Sequence, residues 1–222
     1  MANLSADLAT VEYNLGVVRE RVAEACARSG RAPESVRICV ATKYVEPDAM
    51  AVLRDAGVTI AAENRLQDMI AKQERFGDDF EWHFIGAIQS KKIREIAGRV
   101  SMIHSLATES ARDKLANLEP PVPSLLVQVN VSGEESKQGV APEELAAFIA
   151  ATPHPVSGLM TMPPLTDDPE GARAYFARLK QLADEQGLNE LSMGTSQDFA
   201  VAVEEGATLI RVGSVLFSDP NK

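Results

Sequence analysis

One lysine in the sequence lies where a side-chain amine could do chemistry. Lys43 ends the apolar run RICVATK (37–43), which has the composition of a buried β-strand. A lysine at the end of such a strand can be partly desolvated, and its neutral amine can then attack a carbonyl carbon. The same position also suits a lysine that extends its charged end into solvent. Lys43 is therefore a candidate nucleophile that its position alone does not establish.

Two segments near the C-terminus have the residue types that bind phosphate groups. SMGTSQD (192–198) follows an apolar run and opens a helical pattern, with Ser196 as the predicted N-cap, and RVGS (211–214) ends the next apolar run. Backbone N–H groups at a helix start, together with nearby hydroxyls, favour an anion. Turn formation and helix capping explain either segment alone. Because the segments end consecutive strand-like runs, together they favour a phosphate site.

The histidines and one loop lysine are weaker candidates. His83 and His104 lie in apolar runs and have no carboxylate partner that the sequence identifies, so we interpret them as hydrogen-bonded structural residues. Lys137 belongs to the polar stretch QVNVSGEESKQG (128–139), where a solvated charge is the simpler interpretation and ligand handling the alternative. The sequence has no spacing typical of metal ligands, so no metal site is expected.

These residues are distributed over a regular alternation of strand-like and helix-like segments. An amphipathic helix, with apolar residues recurring from Leu4 to Val22, precedes the alternation. Strands separated by helical segments require a parallel sheet, and eight repeats predict a closed (β/α)₈ barrel, with an open doubly wound sheet as the alternative. The eight predicted strands are RICVATK (37–43), TIAAEN (59–64), EWHFIG (81–86), SMIHSL (101–106), SLLVQVN (124–130), VSGLMTM (156–162), ELSMGT (190–195) and TLIRVGS (208–214).

Alternation within the strands predicts which side chains face the inside of the barrel. Successive side chains of a strand point to opposite faces, and one of the two sets is apolar, as the layer between strands and helices requires. The other set would face inward, and most of its members lie toward the C-terminal strand ends, where barrel active sites are built. This second set consists of Lys43, Asn64, His83, His104, Gln128, Asn130, Ser192 and Arg211.

Composition and charge limit the domain organisation and the partners. The chain has 222 residues, of which 45% are apolar, and this suits a single domain over residues 1–222. The formal net charge of −10 disfavours nucleic acid and anionic membranes, and the one short basic run, KKIR (91–94), is too small to reverse this. No apolar segment approaches the length of a membrane span. Cys26 and Cys39 are interpreted as buried thiols of a cytoplasmic protein, and a monomer is expected.

A series of short motifs extends along nearly the whole chain. In order, they are ATKYVEP, AENRLQD, WHFIGAIQSKK, IHSL, QVNVSGEESKQG, GLMTMPP, LSMGTSQDF and TLIRVGSVLF. Together they resemble the YggS/PROSC family, the pyridoxal 5′-phosphate (PLP) homeostasis or PLP-binding proteins. The resemblance implies a barrel like that of alanine racemase, the fold type III arrangement of PLP proteins. It also implies that Lys43 holds PLP as a Schiff base.

The resemblance implies roles for further residues around the cofactor. Asn64 would lie near the cofactor ring, and Arg211 would approach the pyridine nitrogen. Because a guanidinium cannot accept a proton from that nitrogen, PLP beside an arginine is a weaker electron sink, which disfavours carbanion chemistry. The residues implied around the phosphate are Ser192, Ser196, Gly213 and Ser214.

Several positions depart from the family pattern. Ala62 stands where glycine is usual, Ala87 where histidine is usual, Lys92 where asparagine is usual and Thr195 where methionine is usual. The ending FSDP (217–220) also lacks the common FG-x-R. These departures concern the rim of the pocket and partner recognition, and none removes the predicted lysine or arginine.

Three functions are compatible with these residues. A PLP homeostasis protein would hold the cofactor exchangeably and deliver it to PLP-dependent apoenzymes or buffer it, without catalytic residues of its own. A PLP-dependent amino-acid racemase needs a base on each face of the substrate, and none of the three tyrosines is well placed to oppose Lys43. A barrel enzyme acting on a phosphorylated metabolite without PLP would use the same lysine and loops. We expect the first of these functions.

Overall fold

The chain folds into a closed barrel of parallel β-strands. The structure is a computed structural model that describes residues 7–134 and 136–219. The strands are β1 (Arg37–Ala41), β2 (Ile60–Glu63), β3 (Glu81–Phe84), β4 (Met102–Leu106), β5 (Ser124–Gln128), β6 (Val156–Met160), β7 (Glu190–Ser192) and β8 (Leu209–Val212). Each strand pairs with the next one along the chain, and β1 pairs with β8 to close the barrel. The predicted (β/α)₈ barrel is confirmed, and the open sheet is excluded.

Helices connect the strands on the outside of the barrel. The α-helices of the described residues are α1 (Leu8–Arg28), α2 (Met50–Asp55), α3 (Leu66–Phe76), α4 (Ile93–Ala97), α5 (Glu109–Leu115), α6 (Leu145–Ala150), α7 (Arg173–Glu185) and α8 (Phe199–Glu204). Helix α1 precedes β1 and packs against α8, which confirms the extra N-terminal helix. The predicted position Leu4 lies outside the described residues. None of the described helices combines the length and the apolar character that a membrane span requires.

The two faces of the strands carry different layers of side chains. Val40, Trp82 and Ile103 belong to the large apolar core that includes the helices. A second, smaller apolar cluster fills the inside of the barrel and consists of Cys39, Ile60, Ala62, Met102, Leu126, Met160 and Leu209. The polar residues on the same inward parity, all buried, are His83, His104, Gln128, Ser192 and Arg211. The predicted division of the strand faces is confirmed for residues within the strands.

Most strands end before the apolar runs that predicted them. Strand β1 ends at Ala41, so Lys43 lies in the following loop, and β7 ends at Ser192 where the run extended to Thr195. Strand ends are the least certain part of a prediction from pattern. The consequence is that residues expected at strand ends lie in the loops at the C-terminal end of the barrel.

Gly86 allows the segments that follow β2 and β3 to touch. A Cβ atom at Gly86 would lie 1.9 Å from the backbone oxygen of Asn64, closer than any non-bonded contact permits. The carbonyl oxygen of Gly86 in turn accepts a hydrogen bond from Ser105 Oγ at 2.5 Å. The backbone at Asn64, after β2, is therefore in direct contact with the backbone at Gly86, after β3.

A buried ion pair joins α3 to the ends of β1 and β2. Lys72 Nζ donates to the carboxylate of Glu63 and, at 2.7 Å, to the backbone oxygen of Thr42. Glu63 also accepts from Thr42 Oγ1 at 2.6 Å and from the backbone N–H of Asn64 at 3.1 Å. The Lys72 and Glu63 side chains are 3% and 0% exposed. Because Thr42 precedes Lys43, the pair fixes the two segments that carry Lys43 and Asn64.

Removing one partner of this pair should destabilise the protein strongly. In Lys72→Met, the Glu63 carboxylate would stay buried without its cation, and such a loss costs about 3–5 kcal/mol of unfolding free energy. The double variant Lys72→Met with Glu63→Met leaves no buried charge there, so it should be more stable than Lys72→Met alone. Urea unfolding midpoints at constant m-value measure both losses.

An exposed lysine provides the matched control. Lys180 pairs with Asp184 at 2.5 Å, with side chains 43% and 60% exposed, so Lys180→Met should change the unfolding midpoint little. Equal losses in Lys180→Met and Lys72→Met would contradict the account of the buried pair. A double variant that is less stable than both single variants would contradict it as well.

Candidate functional site

A cavity of about 290 Å³ opens at the C-terminal end of the barrel. Active sites of this fold are built at this end, from the loops that follow the strands. We call it the Lys43 cavity. Its lining residues are Ala41, Lys43, Tyr44, Val45, Asn64, Ile85, Met162, Thr195, Ser196, Gln197, Arg211, Gly213 and Ser214. Six of the seven predicted site residues are in this lining, and Ser192 is not.

Lys43 presents its amine at the mouth of the cavity. It follows the β1 end by two residues, and its Nζ lies 4.8 Å from the ring centroid of Tyr44. Both side chains are exposed, so the desolvation expected for a strand-end lysine is absent. The reason is that β1 ends before Lys43, which leaves the lysine in a loop. The amine is accessible to a ligand that enters from solvent.

Arg211 forms the positively charged floor of the cavity. It lies on β8 and is 4% exposed. Its Nη1 donates to Ser192 Oγ at 2.6 Å, and its Nη2 donates to the backbone oxygen of Thr161 at 2.8 Å. Burial lowers the pKa of Arg211 to about 10, which still leaves the guanidinium charged at neutral pH. Two of its hydrogen bonds are therefore made within the barrel while it faces the cavity.

Ser192 lies beneath the cavity instead of lining it. Its side chain is fully buried, and its hydroxyl contacts both Arg211 and, at 2.8 Å, His104 Nδ1. The resemblance implied that Ser192 surrounds a phosphate. In this structure it supports the arginine from below.

The loops after β7 and β8 meet at one side of the cavity. Ser196 Oγ accepts a hydrogen bond from the backbone N–H of Gly213 at 3.1 Å, which links the two loops. Ser214 begins a short 3₁₀ helix, and the first N–H groups of any helix have no acceptor within it. Hydroxyls and backbone donors thus converge here, as the sequence predicted.

The predicted capping role of Ser196 is wrong. Helix α8 begins at Phe199, and its N-cap is Asp198. The Asp198 carboxylate accepts from the backbone N–H of Thr195 at 2.6 Å and from Thr195 Oγ1 at 3.1 Å, which closes a turn ahead of the helix. Since Asp198 takes this place, the Ser196 hydroxyl faces Gly213 and the cavity.

Asn64 has an unsatisfied hydrogen-bonding group in the cavity wall. Its Oδ1 is buried and has no partner among the residues that the structure describes. Leaving a buried polar atom unpaired costs about 1–3 kcal/mol, so such atoms usually serve a ligand or a water molecule. The side-chain amide of Asn64 is therefore available to a molecule bound beside Lys43.

The two histidines have a carboxylate partner that the sequence analysis missed. His83 Nε2 lies 2.8 Å from Glu81 Oε1, and His83 Nδ1 lies 3.0 Å from His104 Nε2. Glu81 and His83 are two residues apart on one strand, so they share a face, and this spacing was the available signal. Burial lowers the pKa of His83, and it lowers that of His104 further. Both rings are held neutral near pH 7.

The remaining predicted positions lie outside the Lys43 cavity, with one exception. Lys137 lines a separate cavity of about 260 Å³ together with Ala87. Ala62 is buried inside the barrel, and Lys92 is partly exposed on the outside. Thr195 is the one departure from the family pattern that lines the Lys43 cavity.

The cavity combines an amine, a cation and a group of neutral hydrogen-bond donors. An accessible amine can condense with an aldehyde, because its lone pair attacks the carbonyl carbon. Backbone N–H groups and hydroxyls suit a phosphate. The arrangement fits a small phosphorylated carbonyl compound that lies between Lys43 and the loops after β7 and β8.

Comparisons with known proteins identify the relatives of this chain. No family model matches the chain. The pyridoxal phosphate homeostasis protein of Aquifex aeolicus is 41% identical over 219 residues, which cover 92% of this chain and 96% of that protein. PipY of Synechococcus elongatus, solved with PLP bound, matches with a TM-score of 0.75 and 33% identity over 90% of this chain and 100% of that chain.

A more distant structure confirms the type of barrel. Alanine racemase from Corynebacterium glutamicum matches with a TM-score of 0.71 over 99% of this chain and 64% of its own. Its identity is only 16%, so it supports the fold alone. The Aquifex aeolicus relative, by contrast, matches over nearly the full length of both chains. The chain belongs to the family of pyridoxal phosphate homeostasis proteins.

Proposed function

We propose that this protein binds PLP in the Lys43 cavity and acts in PLP homeostasis. Lys43 would hold the cofactor as a Schiff base, and the protein would deliver PLP to apoenzymes or buffer its free concentration. The observation that carries the proposal is that an accessible amine, a buried guanidinium and phosphate-type donors line one cavity. A member of the same fold at 33% identity has been solved with PLP bound.

The residues fit PLP one chemical group at a time. The accessible amine of Lys43 suits the aldehyde, and Arg211 suits a neutral pyridine nitrogen, to which it can only donate. The hydroxyls of Ser196 and Ser214 suit the phosphate, because charge-assisted hydrogen bonds stabilise its charge. The Gly213 N–H, which donates to Ser196 Oγ in this structure, would have to turn to the phosphate to add a third. The unpaired Oδ1 of Asn64 supports a place for this side chain beside the cofactor.

The site favours holding the cofactor over catalysis with it. PLP supplies an electron sink for carbanions, and an arginine at its nitrogen weakens that sink. Racemisation also needs a base opposite Lys43. Tyr44 lines the cavity, but it is the next residue after Lys43 on the same loop. The features support a carrier, with an amino-acid racemase as the alternative.

The proposal also places the protein in the cytoplasm and gives it PLP-dependent apoenzymes as partners. Cys26 and Cys39 are both buried and free, which suits a reducing compartment such as the cytoplasm. PLP-dependent apoenzymes would receive the cofactor directly or from the free pool. We expect a monomer that contacts them at the open mouth of the cavity.

Lys43→Ala should abolish covalent attachment of PLP. Borohydride reduces a Schiff base to a stable amine, so peptide mapping of the reduced wild-type protein should locate the pyridoxyl group on Lys43. The variant should give no label and keep the urea midpoint of the wild type, because the side chain is exposed. Lys137→Ala is the control and should label fully. Label on another lysine of the wild-type protein would show that the assignment is wrong.

Ser196→Ala combined with Ser214→Ala should weaken PLP binding much more than binding of pyridoxal, which lacks the phosphate. One lost hydrogen bond to a charged group corresponds to about 1.5–3 kcal/mol, or roughly a 10- to 100-fold rise in Kd for PLP. Equilibrium dialysis with both ligands measures the difference. Ser90→Ala, beside Lys91, should change neither affinity. Equal losses for PLP and pyridoxal would reject this phosphate position.

The PLP-saturated protein should show little turnover of amino acids. We expect Cα deuterium exchange and racemisation of common amino acids far below about 1 s⁻¹, the lower end of ordinary enzyme rates. Mass spectrometry and chiral chromatography follow the two reactions, and Lys43→Ala is the blank. A Lys43-dependent rate of about 1 s⁻¹ or more would favour the racemase.

A further inference from the structure

A chain of hydrogen bonds crosses the inside of the barrel from the Lys43 cavity to its opposite end. Arg211 Nη1 donates to Ser192 Oγ at 2.6 Å, and this oxygen lies 2.8 Å from His104 Nδ1. His104 Nε2 lies 3.0 Å from His83 Nδ1, and His83 Nε2 lies 2.8 Å from Glu81 Oε1. The other four members of the chain, Arg211, Ser192, His104 and His83, are all buried.

With both rings neutral, the two ends of the chain fix the direction of every hydrogen bond in it. A guanidinium only donates and a carboxylate only accepts. The Ser192 oxygen accepts from Arg211, and its hydroxyl donates to His104 Nδ1. His104 then carries its proton on Nε2 and donates to His83 Nδ1, and His83 Nε2 donates to Glu81. Of the neutral states of the two rings, only the one with both protonated on Nε2 satisfies all four bonds.

The charges that face the histidine pair come from four strands. Glu81 on β3 and Glu190 on β7 are negative, whereas Arg37 on β1 and Arg211 on β8 are positive. Burial lowers the pKa of His104 most, and the charge of His83 when it is protonated, together with the charges of Arg211 and Arg37, lowers it further. The neutral form is therefore favoured at neutral pH, and proton uptake requires a pH below the ordinary histidine range.

The far end of the chain is open to solvent. Glu81 is exposed, accepts from Ser101 Oγ at 3.0 Å and lies 4.0 Å from Arg37. Burial acts to raise the pKa of Glu81, but the hydrogen bonds from His83 and Ser101 and the charge of Arg37 lower it overall. Glu81 and Arg37 both line a cavity of about 530 Å³ at this end. Protons of the solvent can thus reach the chain from the end opposite PLP.

The geometry points to His104 as a positioning residue of the PLP site, which acts through Ser192 on Arg211 and makes retention of PLP dependent on pH. Neutral His104 accepts a hydrogen bond from the Ser192 hydroxyl, and the lone pairs of the serine oxygen then face the guanidinium. This inference rests on the proposed function, because it assigns a consequence for bound PLP.

Uptake of one solvent proton by the histidine pair reverses this arrangement, and His83 takes it more readily, because the pKa of His104 is lowered further. Whichever ring carries the charge, His104 would then donate from Nδ1 to the same serine oxygen that accepts from Arg211. The hydroxyl proton of Ser192 would also lose its acceptor. The guanidinium of Arg211 would be held less firmly in its position at the cavity floor. PLP would therefore bind more weakly as the pH falls.

Two variants separate this effect from other sources of pH dependence. His104→Asn keeps an acceptor near the position of Nδ1 but cannot become a cation, and Ser192→Ala removes the link to Arg211. The titration of the PLP phosphate is common to all variants, so the ratio of wild-type to variant Kd removes its contribution. Kd for PLP is measured by equilibrium dialysis from about pH 8 to about pH 5, a range that extends below the ordinary histidine pKa.

The ratio of wild-type to His104→Asn Kd should stay constant near neutral pH and rise only toward the acid end of this range, by up to about tenfold, the size expected for one weakened hydrogen bond to a charged group. Ser192→Ala should bind PLP about tenfold more weakly at every pH and lose the extra pH dependence. His154→Gln, at the third histidine, is the matched control and should follow the wild type. Urea midpoints identify any variant that does not fold.

A measurement without PLP tests the chain independently. ¹⁵N NMR of the histidines in the ligand-free wild-type protein should show His83 and His104 neutral and protonated on Nε2 at pH 7. An Nδ1 tautomer, an imidazolium at pH 7, or parallel pH profiles for wild type and His104→Asn would overturn the inference alone. Failure of the wild-type protein to bind PLP at any pH would overturn the proposed function with it.

Discussion

Arg211 carries a positive charge into the inside of the barrel, and much of the surrounding structure satisfies that charge. A buried guanidinium is costly unless its N–H groups are hydrogen-bonded. One of its partners is the Thr161 carbonyl just beyond β6, and the other is Ser192 on β7, which β4 in turn supports through His104. The arginine therefore ties together strands from opposite sides of the barrel. Its position at the cavity floor depends on all of them.

The amine side of the cavity is held by a different set of charges. Lys72 and Glu63 lie in the layer between strands and helices, outside the barrel wall. Lys72 donates to the backbone oxygen of Thr42, next to Lys43, and Glu63 accepts from the backbone N–H of Asn64. Arg211 and its hydrogen bonds thus hold the cavity floor from inside the barrel. The Lys72–Glu63 pair holds the rim from outside it. The exposed Lys43 needs no burial of its own to be positioned, because its neighbour Thr42 is fixed.

The sequence predicted the barrel because two periodicities in it are strong. Strand-like runs alternate with helical ones eight times, and alternation within runs separated Val40 from Cys39 and Trp82 from His83. Contacts between residues far apart in the sequence could not be predicted from these periodicities. Lys72 is charged but lies on the buried stripe of α3 with Met69 and Phe76, so a charged residue at a core position was the signal for its pair. Ser196 and Asp198 are both residue types that cap helices, so the sequence could not decide between them, and the structure begins α8 after Asp198.

Cys39 has a consequence for the chemical selectivity of the site. It lies inside the barrel on β1, and burial raises the pKa of its thiol to about 12, although Arg211 acts to lower it. Thiolates add to aldehydes and are readily oxidised, whereas neutral buried thiols do neither efficiently. An aldehyde bound in the layer above would therefore meet the amine of Lys43 as its reaction partner. Burial keeps the sulfur of Cys39 unreactive, so that of the two potential nucleophiles in and just after β1 only the amine of Lys43 is available.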